Sequence, residues 1–246
     1  LCANVATARF YDANKLPMLF RVHEGPGEEK LEGLRKFLAE LGLNLGGGSK
    51  PTPVDYQQLL LQIADREDAN VIQTMLLRSL SQAVYQPENK GHFGLHYDAY
   101  AHFTSPIRRY PDLLVHRGIR HLIRSVGNAK GVLRVNGAEP IPVKQIFPYD
   151  LHAMVTQGEH SSMSERRADD ATREVDSWLK CEYLQEHVGD EFDGVISAVT
   201  GFGLFVELKD LYIEGLVHIT ALPGDYYSFD KAHQRLTGER SGRTFQ

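Results

Sequence analysis

Cysteine is nearly absent: the 246-residue chain has 2, Cys2 and Cys181, far apart in sequence. Two distant thiols cannot build a disulfide framework, and no close Cys/His grouping supplies a structural zinc site. They read as free thiols in a reducing, cytoplasmic compartment. Long apolar runs are missing too; none approaches the roughly 18–20 residues of a membrane span. LCANVATARF has no basic stretch before an apolar one, so it does not read as a signal peptide. It starts on Leu1 rather than Met, which leads us to expect a fragment or a processed product. Positive charge is in deficit, with 27 Lys+Arg against 32 Asp+Glu and a net charge of −5. That argues against a basic DNA-coating protein but leaves room for a segregated basic patch. What is present is ordinary for a globular chain, 42% hydrophobic and 24% charged, which excludes disorder throughout. The length allows one large domain or two smaller ones.

Apolar spacing predicts a helix in the first residues, ended by Pro17, then an extended Met18–Val22. Leu31, Leu34, Phe37, Leu38 and Leu41 recur at helical intervals, with Gly42 placed to end that helix. Gly46-Gly47-Gly48-Ser49-Lys50 lacks P-loop spacing and reads as a flexible loop. Further helices are expected from Pro53 to Ile63, from Asp68 to Tyr85 and from His160 to Gln185. The last would carry an apolar face of Ala168, Ala171, Val175, Trp178 and Leu179. Arg166–Asp170 and Asp169–Arg173 would be paired on its exposed side. Residues 126–147 read as a loop. After Gly189 three short strand-like runs follow at glycine turns, which suggests a small β-barrel and a domain boundary near residue 188.

The most informative stretch is GHFGLHYDAYAHFTSPIRRYPDLLVHRGIRHLIR, Gly91 to Arg124. From Ala101 onward it holds five arginines (108, 109, 117, 120, 124) and one acid, Asp112, a local +4. Ser105-Pro106 reads as a helix start, and Arg108 and Arg109 would sit in its first turn, beside unpaired backbone N–H groups. That combination suits a phosphate. A solvated or salt-bridged face is the stronger reading for Arg117, Arg120 and Arg124. Pro111 would kink a helix continuing from Pro106. His92, His96, His102, His116 and His121 crowd the segment, but no pair has a convincing third metal ligand. Packing, hydrogen bonding or RNA contact is favoured over zinc.

HFGL followed by YAHFTSPIRRYPDLLVHR resembles the end of the catalytic domain of the ribonuclease II/ribonuclease R family. GVISAVTGFGLFVEL and EGLVHIT resemble an S1 RNA-binding domain, and CANVATAR, LFRVHEGP and LLRSLSQAVY agree in order. GFGLF and DYYSFD are more similar to the ribonuclease R branch. The resemblance implies an α+β architecture: residues 1–187 as the mostly helical C-terminal part of an RNB-type catalytic domain, and 188–246 as a truncated S1 (OB-fold) barrel. It implies a processive 3′→5′ exoribonuclease, monomeric and cytoplasmic. Single-stranded RNA would thread into a channel where aspartate-held Mg²⁺ supports hydrolysis to nucleoside 5′-monophosphates.

Residue by residue, the resemblance makes Arg108 the arginine on the scissile phosphate, with Thr104, Ser105 and Arg109 shaping that site. Asn4 would lie just after an RNA-contacting glutamate. Phe202, Phe205 and His218 match the aromatic and histidine positions of the S1 RNA face. The aspartate cluster is not found in this sequence. Asp169-Asp170 is the only adjacent aspartate pair, and neighbours on a helix diverge by about 100°. The chain alone is therefore expected to be inactive. The alternatives are a non-catalytic RNA-binding protein of the same fold, an S1-containing RNA-binding factor, and a scaffold with a solvated basic helix.

Overall fold

The computed structural model describes residues 1–66, 68–125, 129–133, 137, 139–230 and 234–245. It comprises two compact units, Leu1–Asp169 and Asp170–Gln246.

The first unit opens with α1 (Cys2–Asn14), closed by Lys15 in the left-handed region at φ 52°. β1 (Phe20–Val22) pairs antiparallel with β2 (Val84–Gln86), Phe20 opposite Gln86 and Val22 opposite Val84. Between them lie α2 (Glu28–Glu40), α3 (Pro53–Gln62) and α4 (Ala69–Ser79). Leu31, Leu34 and Leu38 of α2 pack with Tyr56 and Leu59 of α3 and Ile72 and Leu76 of α4 in one core cluster. A capping box starts α3: the Thr52 N–H donates to Asp55 Oδ2 at 2.6 Å, and Pro53 sits where no backbone donor is needed. The Gly46–Gly47 backbone packs on that same Asp55 carboxyl, so the glycine loop faces an acid rather than a phosphate.

α5 (Tyr110–Arg124), the short α6 (Val143–Ile146) and α7 (Leu151–Leu184) complete the helices. Val115 of α5 joins Ala8, Tyr11, Met18 and Val22 in a second cluster. Gly118 gives Tyr11 room to donate its hydroxyl to the Val115 carbonyl. Leu114, Phe147 and Met154 join Leu19 and Tyr85 in a third.

Four local expectations need correcting. The helix expected to reach Tyr85 ends at Ser79; Leu80 turns extended and Val84–Gln86 pairs with β1, so sheet pairing overrides helical spacing. α5 begins at Tyr110, not at Ser105, and Pro111 lies in its first turn without kinking it. The long helix begins at Leu151, where Asp150 Oδ1 accepts the Ala153 N–H at 2.8 Å. Its expected apolar face is exposed at Val175, Trp178 and Leu179, and Arg173 pairs with Asp170 rather than Asp169. Of the expected loop at 126–147, residues 126–128, 134–136 and 138 lie outside the described residues.

In the second unit, β3 (Gly194–Thr200), β4 (Gly203–Leu208) and β5 (Ile213–His218) form an antiparallel meander. β6 (Tyr227–Asp230), β7 (Arg235–Gly238) and β8 (Thr244–Phe245) form another. Three strands were expected in this region, and the described residues contain six. The added ones are only two to four residues long, too short for a strand period to stand out in the sequence. Val199, Leu204 and Leu236 make the core of this unit.

Candidate functional site

The segment between β2 and α5 is held by bonds remote in sequence. Asn4 is buried; its Nδ2 donates to the Tyr100 hydroxyl at 2.9 Å and its Oδ1 accepts the Phe103 N–H at 3.1 Å. The His116 ring of α5 stacks on Phe103 at 4.3 Å and bonds its carbonyl through Nε2 at 2.9 Å. With that stretch fixed to α1 and α5, the chain makes one turn at Ser105–Arg109. The Ser105 carbonyl accepts the N–H groups of Arg108 and Arg109 at 3.3 and 3.0 Å. Asp112, wholly buried, accepts the Ser105 N–H and the Arg109 guanidinium through Oδ1, both at 2.8 Å. Ile107 at the tip is fully exposed.

A cavity of about 670 Å³ opens beside this turn. Arg108, Arg109 and Tyr110 line it from the turn and α5, Tyr85 from β2, and Gln157, His160, Ser161, Ser164, Glu165 and Asp169 from α7. The α7 positions recur every three or four residues, so one polar helix face does the lining. Arg21 binds Glu165 at 2.6 Å and lies 4.6 Å from the centroid of the Tyr85 ring. The Tyr85 hydroxyl bonds His102 Nδ1 at 2.8 Å. Burial pushes the Tyr85 phenol up to about 12. Burial first, then the charges of Arg109 and Arg21, pushes the His102 imidazole down to about 4, which keeps it neutral near pH 7. Arg21 and Arg109 are thus each spent on a carboxylate. The Arg108 guanidinium, exposed, makes no ion pair among the described residues, and the Asp169 carboxylate lines the same cavity without contacting it.

Of the sequence-derived candidates, Arg108 and Arg109 line this cavity. Ser105 supplies the turn's acceptor and Thr104 is exposed beside it, neither among the cavity's lining residues. Asn4 has both ends of its amide engaged in fixing the 100–103 stretch. In the second unit, Phe202 is 50% exposed and its ring meets that of Phe205 edge-on at 6.1 Å. Gly203 pairs with His218 and Phe205 with Leu216, so strand alternation puts Phe205 and His218 on one face and Leu204 on the core face. His218 Nδ1 accepts the Thr220 N–H at 3.3 Å, which leaves the neutral ring's proton on Nε2.

Asp112, Tyr85 and the α7 stripe were not singled out from the sequence as site residues. The stripe had a signal, polar residues at 157, 160, 161, 164, 165 and 169. Asp112 had only its spacing of three from Arg109. Among the described residues no three His, Cys, Asp or Glu side chains group to hold a metal. Glu165 and Asp169 share the cavity, but Arg21 occupies the Glu165 carboxylate. These residues do not fit a Mg²⁺ site.

The RNB domain family model matches residues 1–125, and the S1 RNA binding domain model residues 186–242. Ribonuclease R of Escherichia coli (strain K12) is 52% identical over 246 residues, covering 100% of this chain. The chain spans only 29% of that relative's length. Mycoplasma genitalium RNase R is 25% identical, with 100% of this chain and 36% of that one covered. The TM-score is 0.79 for its apo form and 0.78 for its complex with ribose-methylated single-stranded RNA. Yeast Ssd1, a pseudonuclease, shares the fold at a TM-score of 0.70 and 22% identity, covering 96% of this chain and 28% of that one.

Proposed function

Because the chain belongs to the RNB-domain family, with ribonuclease R relatives along its whole length, we propose that it is part of a processive exoribonuclease acting on single-stranded RNA. The observation that carries this reading is Arg108, a cation at the cavity with no ion pair among the described residues. A guanidinium matches the geometry of two phosphate oxygens, and a fixed positive charge stabilises the extra negative charge that develops as a phosphodiester is attacked. Arg109, committed to Asp112, shapes the turn rather than touching phosphate. The polar α7 face offers hydroxyls and amides to the sugar-phosphate chain. Phe202, Phe205 and His218 offer a stacking surface to bases.

In this reading the whole protein shortens RNA from its 3′ end and releases nucleoside 5′-monophosphates. It is a monomer in the cytoplasm and uses Mg²⁺ held by residues outside this chain. Among the described residues no helix is long and apolar enough to cross a membrane. The 246-residue chain by itself binds single-stranded RNA without hydrolysing it. The test is Arg108→Ala in the full-length protein with a 5′-labelled oligonucleotide. Turnover is expected to fall roughly 10²–10³-fold while RNA affinity changes little. A wild-type protein that binds the oligonucleotide yet releases no mononucleotide would favour the non-catalytic reading instead.

A further inference from the structure

We infer that Asp112 is a positioning residue for Arg108, a role that rests on Arg108 contacting phosphate. Asp112 has 0% exposure and is not among the residues lining the cavity, so it acts through what it holds. Its Oδ1 gathers both ends of one turn: the Ser105 N–H where the chain enters and the Arg109 guanidinium where it leaves, each at 2.8 Å. The Ser105 carbonyl closes the same turn from inside by accepting the N–H groups of Arg108 and Arg109. Nothing packs over the tip, since Ile107 is fully exposed, and no partner among the described residues directs the Arg108 side chain. The backbone of the turn therefore sets where Arg108 points. A single carboxylate oxygen sets the turn, because Asp112 Oδ2 and Arg109 Nε are buried with no hydrogen-bond partner among the described residues.

A carboxylate suits this place for two reasons. One oxygen accepts two donors at once, which fixes the ends of the turn relative to each other. Its charge also offsets Arg109, so the uncompensated positive charge at the turn is that of Arg108. A charge held in place before reaction contributes more than one that must be ordered during it.

The test compares Asp112→Asn, Arg108→Ala and the double variant in the full-length protein, reading kcat and KM on a single-stranded oligonucleotide. Asn keeps an acceptor for the Ser105 N–H but no longer balances Arg109. We expect Asp112→Asn to lower kcat about 10-fold or more with KM within about 2-fold, and the double variant to be no slower than Arg108→Ala alone. A role confined to fold stability scales down active protein in every background, so its losses multiply in the double variant, and that result overturns the inference. An unchanged kcat in Asp112→Asn beside an impaired Arg108→Ala overturns it while leaving the phosphate reading intact. An unimpaired Arg108→Ala overturns both. Should Asp112→Asn lose its cooperative melting transition, Arg109→Gln/Asp112→Asn takes its place in the same cycle. That pair replaces the buried ions with neutral amides and leaves no unpaired charge.

Discussion

Gly158 of α7 and Tyr85 of β2 meet backbone to backbone: a Cβ on Gly158 would lie 2.5 Å from the Tyr85 carbonyl oxygen and 3.0 Å from Leu19 Cδ2. Four residues on, Ser162 Oγ accepts the Tyr85 N–H at 2.9 Å, so the helix seats the strand residue that lines the cavity.

Gly158→Ala should therefore destabilise the first unit by roughly 1–3 kcal/mol, because the clash is with main chain that cannot rotate away. Gly33, inside α2 with nothing within 4 Å of its would-be Cβ, is the matched control. There Ala should stabilise by roughly 0.5–1 kcal/mol through its better helix propensity. Thermal melts of the two variants beside wild type decide the matter. Equal melting temperatures for the two would overturn the close contact between Gly158 and Tyr85.

Acid should weaken the first unit before its carboxylates titrate. His102 and His92 are each pushed down to about 4, in both cases chiefly by burial. Their unfolded forms take a proton near 6.5, so between pH 6.5 and 4 the unfolded state binds more protons than the folded one. Stability is then fully present above pH 6.5 and is lost as pH falls toward 4, on the order of 2 kcal/mol per imidazole. Urea melts at pH 7, 6, 5 and 4.5 should show the decline, and His102→Gln should make it shallower. A flat profile would mean these rings are not neutralised by burial.

The parts legible in the sequence were those governed by local periodicity. Leu31, Leu34 and Leu38, read as one helix face, are buried together. What escaped depends on partners far along the chain or on the absence of a partner. The Asn4–Phe103 bond joins residues 99 apart, and no window of sequence contains both. Val175, Trp178 and Leu179 have helical apolar spacing but are exposed on α7, since periodicity marks a face suited to burial and not one that is buried. Ser105-Pro106 carried the residues of a helix start, but the helix begins at Tyr110, which puts Pro111 in the first turn where no backbone donor is needed.

Strand parity in the second unit separates an exposed face from the core. Phe202, half exposed in the β3–β4 turn, and Phe205 make an edge-on aromatic pair, and His218 shares the face of Phe205. Leu204, between the two phenylalanines, is 3% exposed in the core with Val199 and Leu236. Phe202→Ala and Phe205→Ala should each weaken binding of a single-stranded oligonucleotide by roughly 1–3 kcal/mol, the scale of one lost base stack. Neither should shift the melting temperature much. Leu204→Ala should do the reverse, costing roughly 2–5 kcal/mol of stability by leaving a cavity in a small core. Fluorescence anisotropy with a labelled oligouridylate, run beside thermal melts, reads both effects. The remaining affinity should fall steeply as salt rises from about 50 to 200 mM, because the phosphate contacts release counterions. A Phe202→Ala chain that binds as tightly as wild type would remove this face from the RNA path and leave the cavity at Arg108 as the only contact the reading supports.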